Sequence, residues 1–286
     1  MNNILLPTDF SENSWNAIKY AIRFFETKDC NFYILHVSRL ANVLSNNTPL
    51  VLDEDLINEL YITPAKQKLS AVLKQISQAA LNYKNHKFYT LTDYGFFIDS
   101  VRKSVEEKDI DCIVMGTKGA TGLKKIILGT NTADIITKVK CNVLAVPENA
   151  EFVRLKEMAF PTDFSLSHNL QVLQPVLEIL NQYKAALSIL HISKKKAILN
   201  AEQKKNKELL QEYFMYNQFT FSYLVNKKVE DAIQCFVQSR AIDMICMVAK
   251  NLNYFQQILF HSKVEAISYH TDIPFLVLHE KNTYYG

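Results

Sequence analysis

The sequence predicts an α/β protein of two similar domains, each a doubly wound parallel sheet of five strands in the order 3-2-1-4-5. Three observations support this prediction. The chain has 286 residues, twice the ~150 residues of a typical domain. Its two halves share an ordered series of short segments. In each half, short apolar runs alternate with longer stretches of helical period, a pattern typical of buried parallel strands with helices on both faces.

The repeat is clearest at the exit of the first strand. Residues 7–11, Pro-Thr-Asp-Phe-Ser, recur unchanged as residues 161–165. Three further segments follow in the same order in both halves: 34–38 with 189–193, 110–115 with 242–247, and 142–147 with 273–278. The spacing between the copies falls from 154 to 132 residues along this series, so the first copy carries about 22 additional residues. We place this insertion within residues 39–64 and interpret it as a candidate cover for the first copy.

The predicted elements of the first copy alternate regularly. They are strands at 2–6, 31–37, 87–92, 111–115 and 142–146, and helices at 12–26, 56–82, 96–107 and 130–138. Right-handed crossovers place the ends of the first and fourth strands side by side, where ligands bind in doubly wound sheets. A short charged join near residues 148–156 separates the copies. We therefore expect domains at 1–148 and 155–280 that pack against each other.

Composition excludes several classes of function. The net charge of +3 is small and the lysine runs are typical of solvated helices, so we expect no nucleic-acid partner. No apolar stretch approaches the ~20 residues of a membrane span, and the N-terminus lacks signal-peptide character. Five cysteines without a C-x-x-C pair indicate reduced thiols, hence a soluble, cytoplasmic protein. No spacing predicts a metal site, and His36 and His191, inside apolar runs, are interpreted as hydrogen-bonded structural residues.

Glycine is concentrated between the fourth strand and the next helix. Four of the chain's six glycines lie there: Gly116, Gly119, Gly122 and Gly129. Glycine permits positive φ and lets backbone amides approach an anion closely. The helix start at Gly129-Thr130-Asn131 adds free N–H groups and the positive end of the helix dipole. Together with Lys118, this set predicts a site for a di- or triphosphate, although each glycine taken singly is explained as well by a turn.

These residues resemble the universal stress protein family. The spacing Gly116-x2-Gly119-x9-Gly129-Thr130 is similar to the ATP-binding pattern of that family, and residues 7–11 resemble its opening motif. The resemblance covers nearly the whole chain. It implies two Rossmann-like domains, of the kind found in adenine nucleotide α hydrolases, a stress-response role, and a nucleotide cofactor that is ATP, ADP or AMP, with Mg²⁺ as an optional companion.

The resemblance also implies roles for particular residues. Asp9 and the backbone of Val37 would face the adenosine, with Thr8 beside Asp9 in the motif. The residues around the ribose and phosphates would be Gly116, Lys118, Gly119, Gly129, Thr130 and Asn131. A carboxylate at a strand end suits ribose hydroxyls or an adenine amine, but a cap or charge at the helix start explains Asp9 equally well.

The second copy departs from this pattern. A spacing of 132 residues places Val248, Asn251, His261 and Ser262 where the first copy has Gly116, Gly119, Gly129 and Thr130. This resembles the branch of the family that does not bind ATP. We therefore expect a second site filled by side chains, and a structural role in which the second copy pairs with the first. Whether two chains also form a homodimer, and which protein is the partner, stays open.

Four functions are compatible with these observations. The leading hypothesis is a nucleotide-binding regulatory protein that acts as a switch. The enzyme alternative is a slow ATPase or a protein that phosphorylates itself, but the sequence has no G-x-x-x-x-G-K-[ST] loop and no kinase signature. A phosphoacceptor receiver domain would need clustered acidic residues, where the sequence offers Asp9 and Asp93 alone. A structural interaction module without a ligand is the fourth interpretation.

Overall fold

The computed structural model describes residues 2–38, 54–79, 83–117, 129–165, 170–193, 199–226, 229–249 and 273–280. The N-terminal half has the strands β1 (Asn3–Pro7), β2 (Cys30–Ser38), β3 (His86–Tyr94), β4 (Cys112–Gly116) and β5 (Asn142–Val146). Its α-helices are α1 (Glu12–Phe24), α2 (Glu54–Ile57), α3 (Thr63–Gln78), α4 (Phe97–Glu107) and α5 (Thr130–Lys138). The predicted strands of this half are confirmed, with ends that differ by at most two residues.

The C-terminal half repeats the series in the same order. It contains β6 (Glu157–Pro161), a 3₁₀ turn (Leu170–Leu173), α6 (Gln174–Tyr183), β7 (Ala186–Ser193), α7 (Ala201–Tyr213), β8 (Phe219–Val225), α8 (Val229–Arg240), β9 (Met244–Val248) and β10 (Phe275–Leu278). The connection from the second to the third strand is about 22 residues longer in the N-terminal half, which confirms the predicted insertion. Residues 39–53 of that insertion lie outside the described residues, so its role as a cover stays a prediction.

All ten strands form one sheet in the order β3-β2-β1-β4-β5-β10-β9-β6-β7-β8. Within each half the strands pair in parallel in the order 3-2-1-4-5, as the sequence predicted. The halves meet where β5 and β10 pair antiparallel, with Leu144 opposite Leu276. The predicted fold class of two doubly wound α/β units is therefore confirmed.

The core lies on both faces of this sheet. Strands β4 and β5 are buried along their whole length, which follows from helices covering both faces of a parallel sheet. One apolar cluster includes side chains of α1, α3, α6 and α7, and a second includes side chains of α4, α5 and α8. Each cluster takes residues from both halves, so the hydrophobic core is continuous across the β5–β10 pair.

The segment predicted as one helix at 56–82 is instead built from three pieces. A π-helical turn (Asn58–Ile62) separates the four residues of α2 from α3. Pro64 lies in the first turn of α3. Because proline has no N–H and its ring crowds the preceding turn, the α-helical hydrogen bonds of α2 do not continue into α3. The prediction of a single regular helix was wrong for this reason.

Side chains near the join also connect the two halves. The Tyr183 hydroxyl donates a hydrogen bond to the Phe24 carbonyl, and the rings of Phe24, Phe152 and Tyr183 lie with centroids 5.7 to 6.3 Å apart. Lys28 Nζ is 3.0 Å from Glu178 Oε2. Burial alone would raise the pKa of Glu178, but the hydrogen bond and charge of Lys28 lower it below its ordinary value. These aromatic and ionic contacts join the two halves in addition to the hydrogen bonds of the β5–β10 pair.

Within the described part of the chain, we find no helix with the length and apolar composition that crossing a membrane requires.

Candidate functional site

The ends of β1 and β4 lie side by side at one edge of the sheet. The two strands pair with Ile4 opposite Cys112 and Leu5 opposite Ile113. If this register is continued past the paired residues, Thr8 comes opposite Gly116. Strands β1 and β2 pair with Pro7 opposite Leu35, and the same continuation brings Asp9 beside Val37. The topology thus places the predicted adenosine residues next to the start of the glycine segment.

The turn after β1 is fixed by its own side chains. Thr8 Oγ1 accepts the N–H of Phe10 at 3.0 Å, and Phe10 has a left-handed φ of 64°. Asp9 Oδ1 accepts the backbone N–H of Ser11 at 3.1 Å and its hydroxyl at 2.6 Å. Ser11 in turn caps α1 by accepting the N–H of Ser14 at 3.2 Å. The Asp9 carboxylate therefore supports the start of α1 while remaining exposed.

The equivalent turn after β6 has the same geometry. Thr162 Oγ1 accepts the N–H of Phe164 at 2.9 Å, and Phe164 has a φ of 61°. Asp163 Oδ1 accepts the N–H of Ser165 at 2.9 Å. Because both halves use the shared motif to shape the backbone, the motif by itself does not distinguish a half that binds a ligand from one that does not.

The two histidines of the apolar runs hold these turns in place. His36 Nδ1 lies 2.8 Å from the Thr8 carbonyl oxygen, and its ring packs against Phe10 with centroids 4.4 Å apart. His191 Nδ1 lies 3.0 Å from the Thr162 carbonyl oxygen and its ring stacks on a phenylalanine in the same way. Their interpretation as hydrogen-bonded structural residues is confirmed.

Gly116 is a glycine for a reason that the sequence did not reveal. It is the buried last residue of β4, and its φ lies outside the left-handed region. A Cβ atom there would lie 2.4 Å from Asn13 Nδ2 and 2.7 Å from Asn13 Cγ. The expectation that Gly116 serves a positive φ was therefore wrong. Close packing of the buried Asn13 side chain from α1 requires it instead, and no periodicity or spacing singles out Asn13.

The start of α5 returns to the end of β4. The Gly129 N–H donates to the Thr117 carbonyl, and Thr132 Oγ1 donates to the Gly116 carbonyl at 2.8 Å. The two ends of the intervening segment are thus tied together, while Lys118 and Gly119 within it lie outside the described residues. Gly129 is the N-cap residue of α5, and no side chain from the described part of the chain caps this helix.

The first turn of α5 can therefore bind an anion. Thr130 and Asn131 are exposed, and the N–H groups of a first helical turn have no acceptor within the helix. With no side-chain cap, these groups and the positive end of the helix dipole are directed to the end of the sheet where β1 and β4 meet. This arrangement suits a phosphate group.

Val37 lies near the end of β2 and pairs with Asp93 of β3. Its half-buried side chain packs on the apolar cluster that includes α4 and α5. That face of the sheet carries the helix whose start suits an anion, so the position of Val37 is compatible with an apolar wall for a ring. The backbone register of β1 and β2 relates Val37 to Asp9.

The corresponding edge of the C-terminal half has a larger side chain at the end of its fourth strand. Val248 takes the place of Gly116 as the last residue of its strand, and Asn251, His261 and Ser262 lie outside the described residues. Helix α7 is tied to the β6 turn because Gln203 Nε2 donates to the Asp163 carbonyl at 3.0 Å and Asn206 Nδ2 donates to the Phe164 carbonyl at 2.7 Å. Sequence patterns did not identify these two amides.

Among the described residues, no group of three or more His, Cys, Asp or Glu side chains could hold a metal ion. Any Mg²⁺ at the start of α5 would therefore depend on phosphate oxygens as ligands, which is the usual arrangement for this ion.

Known proteins of one family resemble this chain in sequence and fold. The model of the Universal stress protein family matches residues 1–147. Universal stress protein MJ0531 of Methanocaldococcus jannaschii is 31% identical over 143 residues, which cover 50% of this chain and 80% of that protein. A crystal structure of a universal stress protein from Archaeoglobus fulgidus covers 96% of this chain and 97% of its own at 20% identity, with a TM-score of 0.71, and shows the likeness of fold. Another universal stress protein, solved in complex with cAMP, is 18% identical over 52% of this chain and 98% of its own, with a TM-score of 0.36.

Proposed function

Since the chain belongs to the universal stress protein family, we propose that it is a nucleotide-binding regulatory protein whose N-terminal domain holds ATP, ADP or AMP. The uncapped start of α5, closed against the end of β4, is the observation that carries this proposal. The amides around Thr130 and Asn131 would bind phosphate oxygens, and Lys118 would neutralise their charge. A bound nucleotide would supply phosphate oxygens as ligands for Mg²⁺, because the described residues hold no cluster of metal-binding side chains.

The adenosine end of the proposed site is supported by register and exposure. Asp9 is an exposed carboxylate at the end of β1, so it could accept hydrogen bonds from ribose hydroxyls or the adenine amine. Its hydrogen bonds to Ser11 fix its orientation before any ligand arrives. Thr8 would act as a positioning residue because it shapes the turn, and the Val37 backbone would border the base.

The C-terminal half is proposed to be a built-in structural partner. We assign it residues 155–280 and the nucleotide-binding domain residues 1–148. The antiparallel β5–β10 pair and the shared apolar clusters support this pairing, and Val248 in the place of Gly116 supports a second site filled by side chains. Five free cysteines, four of them buried, support a reducing, cytoplasmic location. A homodimer and a further protein partner stay predictions.

A switch is favoured over an enzyme because of where the Asp9 carboxylate is held. A slow ATPase needs a group that positions water beside the phosphates. Asp9, the carboxylate at the end of β1, is held by Ser11 at the proposed adenosine end. We therefore propose that the bound and free states differ in shape or partners and not by rapid turnover.

Equilibrium binding tests this proposal. The wild type is expected to bind ATP in the micromolar to millimolar range, and the double variant Gly119→Val, Gly129→Val is expected to lose at least about 100-fold in affinity, equal to ~2.7 kcal/mol. Valine can adopt the φ of −62° and ψ of 152° found at Gly129, and circular dichroism verifies that the double variant is folded. Titrations with ADP, AMP and cAMP would rank the ligands.

Two outcomes would contradict the proposal. If the wild type does not bind any of these nucleotides at millimolar concentration, the regulatory and enzyme interpretations both fail. If wild type and double variant bind ATP equally, the assignment of the glycine segment is wrong. Phosphate release measured with Mg²⁺ then separates a switch, which releases almost none, from an ATPase.

A further inference from the structure

A separate cleft lies on the other side of β1 from Val37. It is bordered by the β1 turn, the first two turns of α1 and the outer side of α3, and its volume is about 180 Å³. Two of its apolar residues, Ile18 and Val72, belong to the cluster that includes α1 and α3. Val37 belongs to the cluster on the opposite face of the sheet. The cleft shares the β1 turn, including Thr8, with the proposed nucleotide site but opens on the opposite face of the sheet, and the inference drawn from it does not depend on that site.

The electrostatics of the cleft favour an anion. Among the described residues that line it, Lys68 is the one with a charged side chain. Its Nζ lies 5.4 Å from the centroid of the Phe10 ring, a cation–π contact that leaves the ammonium group exposed to solvent. No carboxylate is among the lining residues. An anionic group entering the cleft would thus meet the positive charge of Lys68, whereas the Asp9 carboxylate, hydrogen-bonded to the lining residue Ser11, is not itself part of the lining.

The remaining polar groups of the lining are mostly satisfied within the turn. Thr8 Oγ1 and Ser14 Oγ are 3.0 Å apart and share a hydrogen bond, and Ser11 Oγ donates to Asp9. The end of the cleft nearest Gln75 offers one amide side chain. One ammonium and one amide suit a monoanion such as a carboxylate, whereas a phosphate dianion would need more donors.

The walls of the cleft favour an apolar, flat body. Phe10 and Trp15 contribute two aromatic side chains, and Ile18 and Val72 contribute buried aliphatic surface. A cavity of about 150 Å³ with apolar walls holds a benzene molecule in other proteins. The volume of 180 Å³ is therefore enough for a benzene-sized ring with one small substituent.

We propose that this cleft is a second ligand site, which binds a small aromatic carboxylate with its ring on Phe10 and Trp15 and its charge on Lys68. Helix α7 is the counterpart of α3 in the C-terminal half. The side chains of Gln203 and Asn206 bind it directly to the β6 turn, where the N-terminal half has the cleft. Helix α3 approaches the β1 turn through the flexible Lys68 side chain. The site thus belongs to the N-terminal half.

Trp15 makes the proposal directly testable, because it is the single tryptophan of the chain and lines the cleft. Benzoate is the probe, titrated into the full-length protein while tryptophan fluorescence is recorded. A saturable change with a Kd on the order of 1 mM is expected for a ligand of this size. Benzamide, which has the same shape without the charge, should bind about 10-fold more weakly.

Two variants and one control locate the site. Lys68→Met removes the charge and should weaken benzoate binding about 10-fold, whereas Lys66→Met, an exposed lysine on α3 outside the lining, should leave it unchanged. Ala71→Leu places a larger side chain in the cleft from an exposed helix position and should abolish the fluorescence change. Circular dichroism verifies that each variant is folded.

Three results would overturn the proposal. One is the absence of a saturable benzoate response in the wild type. Another is equal benzoate affinity in the wild type and in folded Lys68→Met or Ala71→Leu. The third is displacement of benzoate by saturating ATP, which would make the cleft part of the nucleotide site. Simultaneous binding of ATP and benzoate supports two sites, and benzoate binding without ATP binding would contradict the nucleotide proposal alone.

Discussion

The two halves of the molecule share one turn and differ in what packs against it. After β1 and after β6, the same Pro-Thr-Asp-Phe-Ser segment forms the same hydrogen bonds and the same left-handed phenylalanine. In the N-terminal half, a strand ends in Gly116 beside Asn13, and a cleft separates α3 from the turn. In the C-terminal half, a strand ends in Val248 and α7 is bound to the turn. A shared motif here specifies backbone shape, and the neighbouring side chains decide whether space for a ligand remains.

The largest expected effect is on the free energy of unfolding, and it concerns the glycine that the two halves do not share at the end of β4. Gly116→Ala should lower the free energy of unfolding by about 2–3 kcal/mol, because its Cβ would overlap the buried Asn13 amide. The cost should fall by more than half in an Asn13→Ala background, since the overlapping group is then absent. Guanidinium unfolding of the four proteins measures this coupling.

A matched control comes from the other half. Val248→Ala removes two methyl groups from a half-buried position and should cost about 1 kcal/mol, independently of Asn13. Equal costs for Gly116→Ala in the presence and absence of the Asn13 amide would show that backbone conformation, and not packing against α1, demands the glycine.

The next-largest effect concerns the antiparallel β5–β10 pair, the seam where the two halves meet. His279 follows β10, and its N–H donates to Asn142 Oδ1 at 3.0 Å. Burial lowers the pKa of His279 from 6.5 to about 4, opposed in part by a hydrogen bond with the backbone of Ile136. Between these values the unfolded chain binds a proton that the folded protein does not. Stability should therefore fall as the pH falls from 6.5 to 4, by about 2 kcal/mol.

His279→Gln removes this titration and should flatten the pH dependence by the same amount. Urea unfolding near neutral pH and near the lower end of the window, for wild type and variant, gives the difference directly. An unchanged slope in the variant would show that other groups cause the loss of stability in acid and that the seam is insensitive to His279.

The smallest effect compares the two aspartates of the shared motif. Asp9→Asn is expected to weaken ATP binding about 10-fold, equal to ~1.4 kcal/mol, because an amide accepts hydrogen bonds from ribose less strongly than a carboxylate does. Asp163→Asn disturbs an equivalent turn in the other half and should leave ATP affinity unchanged. Calorimetric titration of both variants measures the difference.

This pair also separates the two interpretations of Asp9. Each substitution should cost a similar, small amount of stability through the turn hydrogen bond. If ATP affinity changes equally in both variants, or in neither, Asp9 acts only as a support for α1, and the adenosine end of the proposed site lies elsewhere.

The fold could be predicted from the sequence because its signals are repetitive. Apolar runs such as those of β4 and β5 mark buried strands, and the recurrence of residues 7–11 reveals the duplication. The antiparallel β5–β10 pair and the π-helical turn before α3 are not encoded in such periods. They depend on packing between distant segments and on the local effect of Pro64.

The candidate site was predicted less completely. Spacing located Gly116 and Gly129 correctly at adjacent ends of β4 and α5, but it attributed Gly116 to backbone freedom when a neighbouring side chain requires it. Asn13, Asn206 and Lys68 carry no pattern in the sequence, because their importance arises from what they contact after folding. Single contacts between distant residues have no periodicity to detect.

The position of β10 has a consequence for synthesis on the ribosome. Strand β5 can form soon after Val146 has been translated, but its antiparallel neighbour begins only at Phe275. At rates of roughly 5–20 residues per second, the open edge of β5 waits on the order of 10 s for its partner. During that interval the nascent chain presents an unpaired strand that is apolar from Val143 to Val146, so the later synthesis of β10 protects the first domain from aggregation.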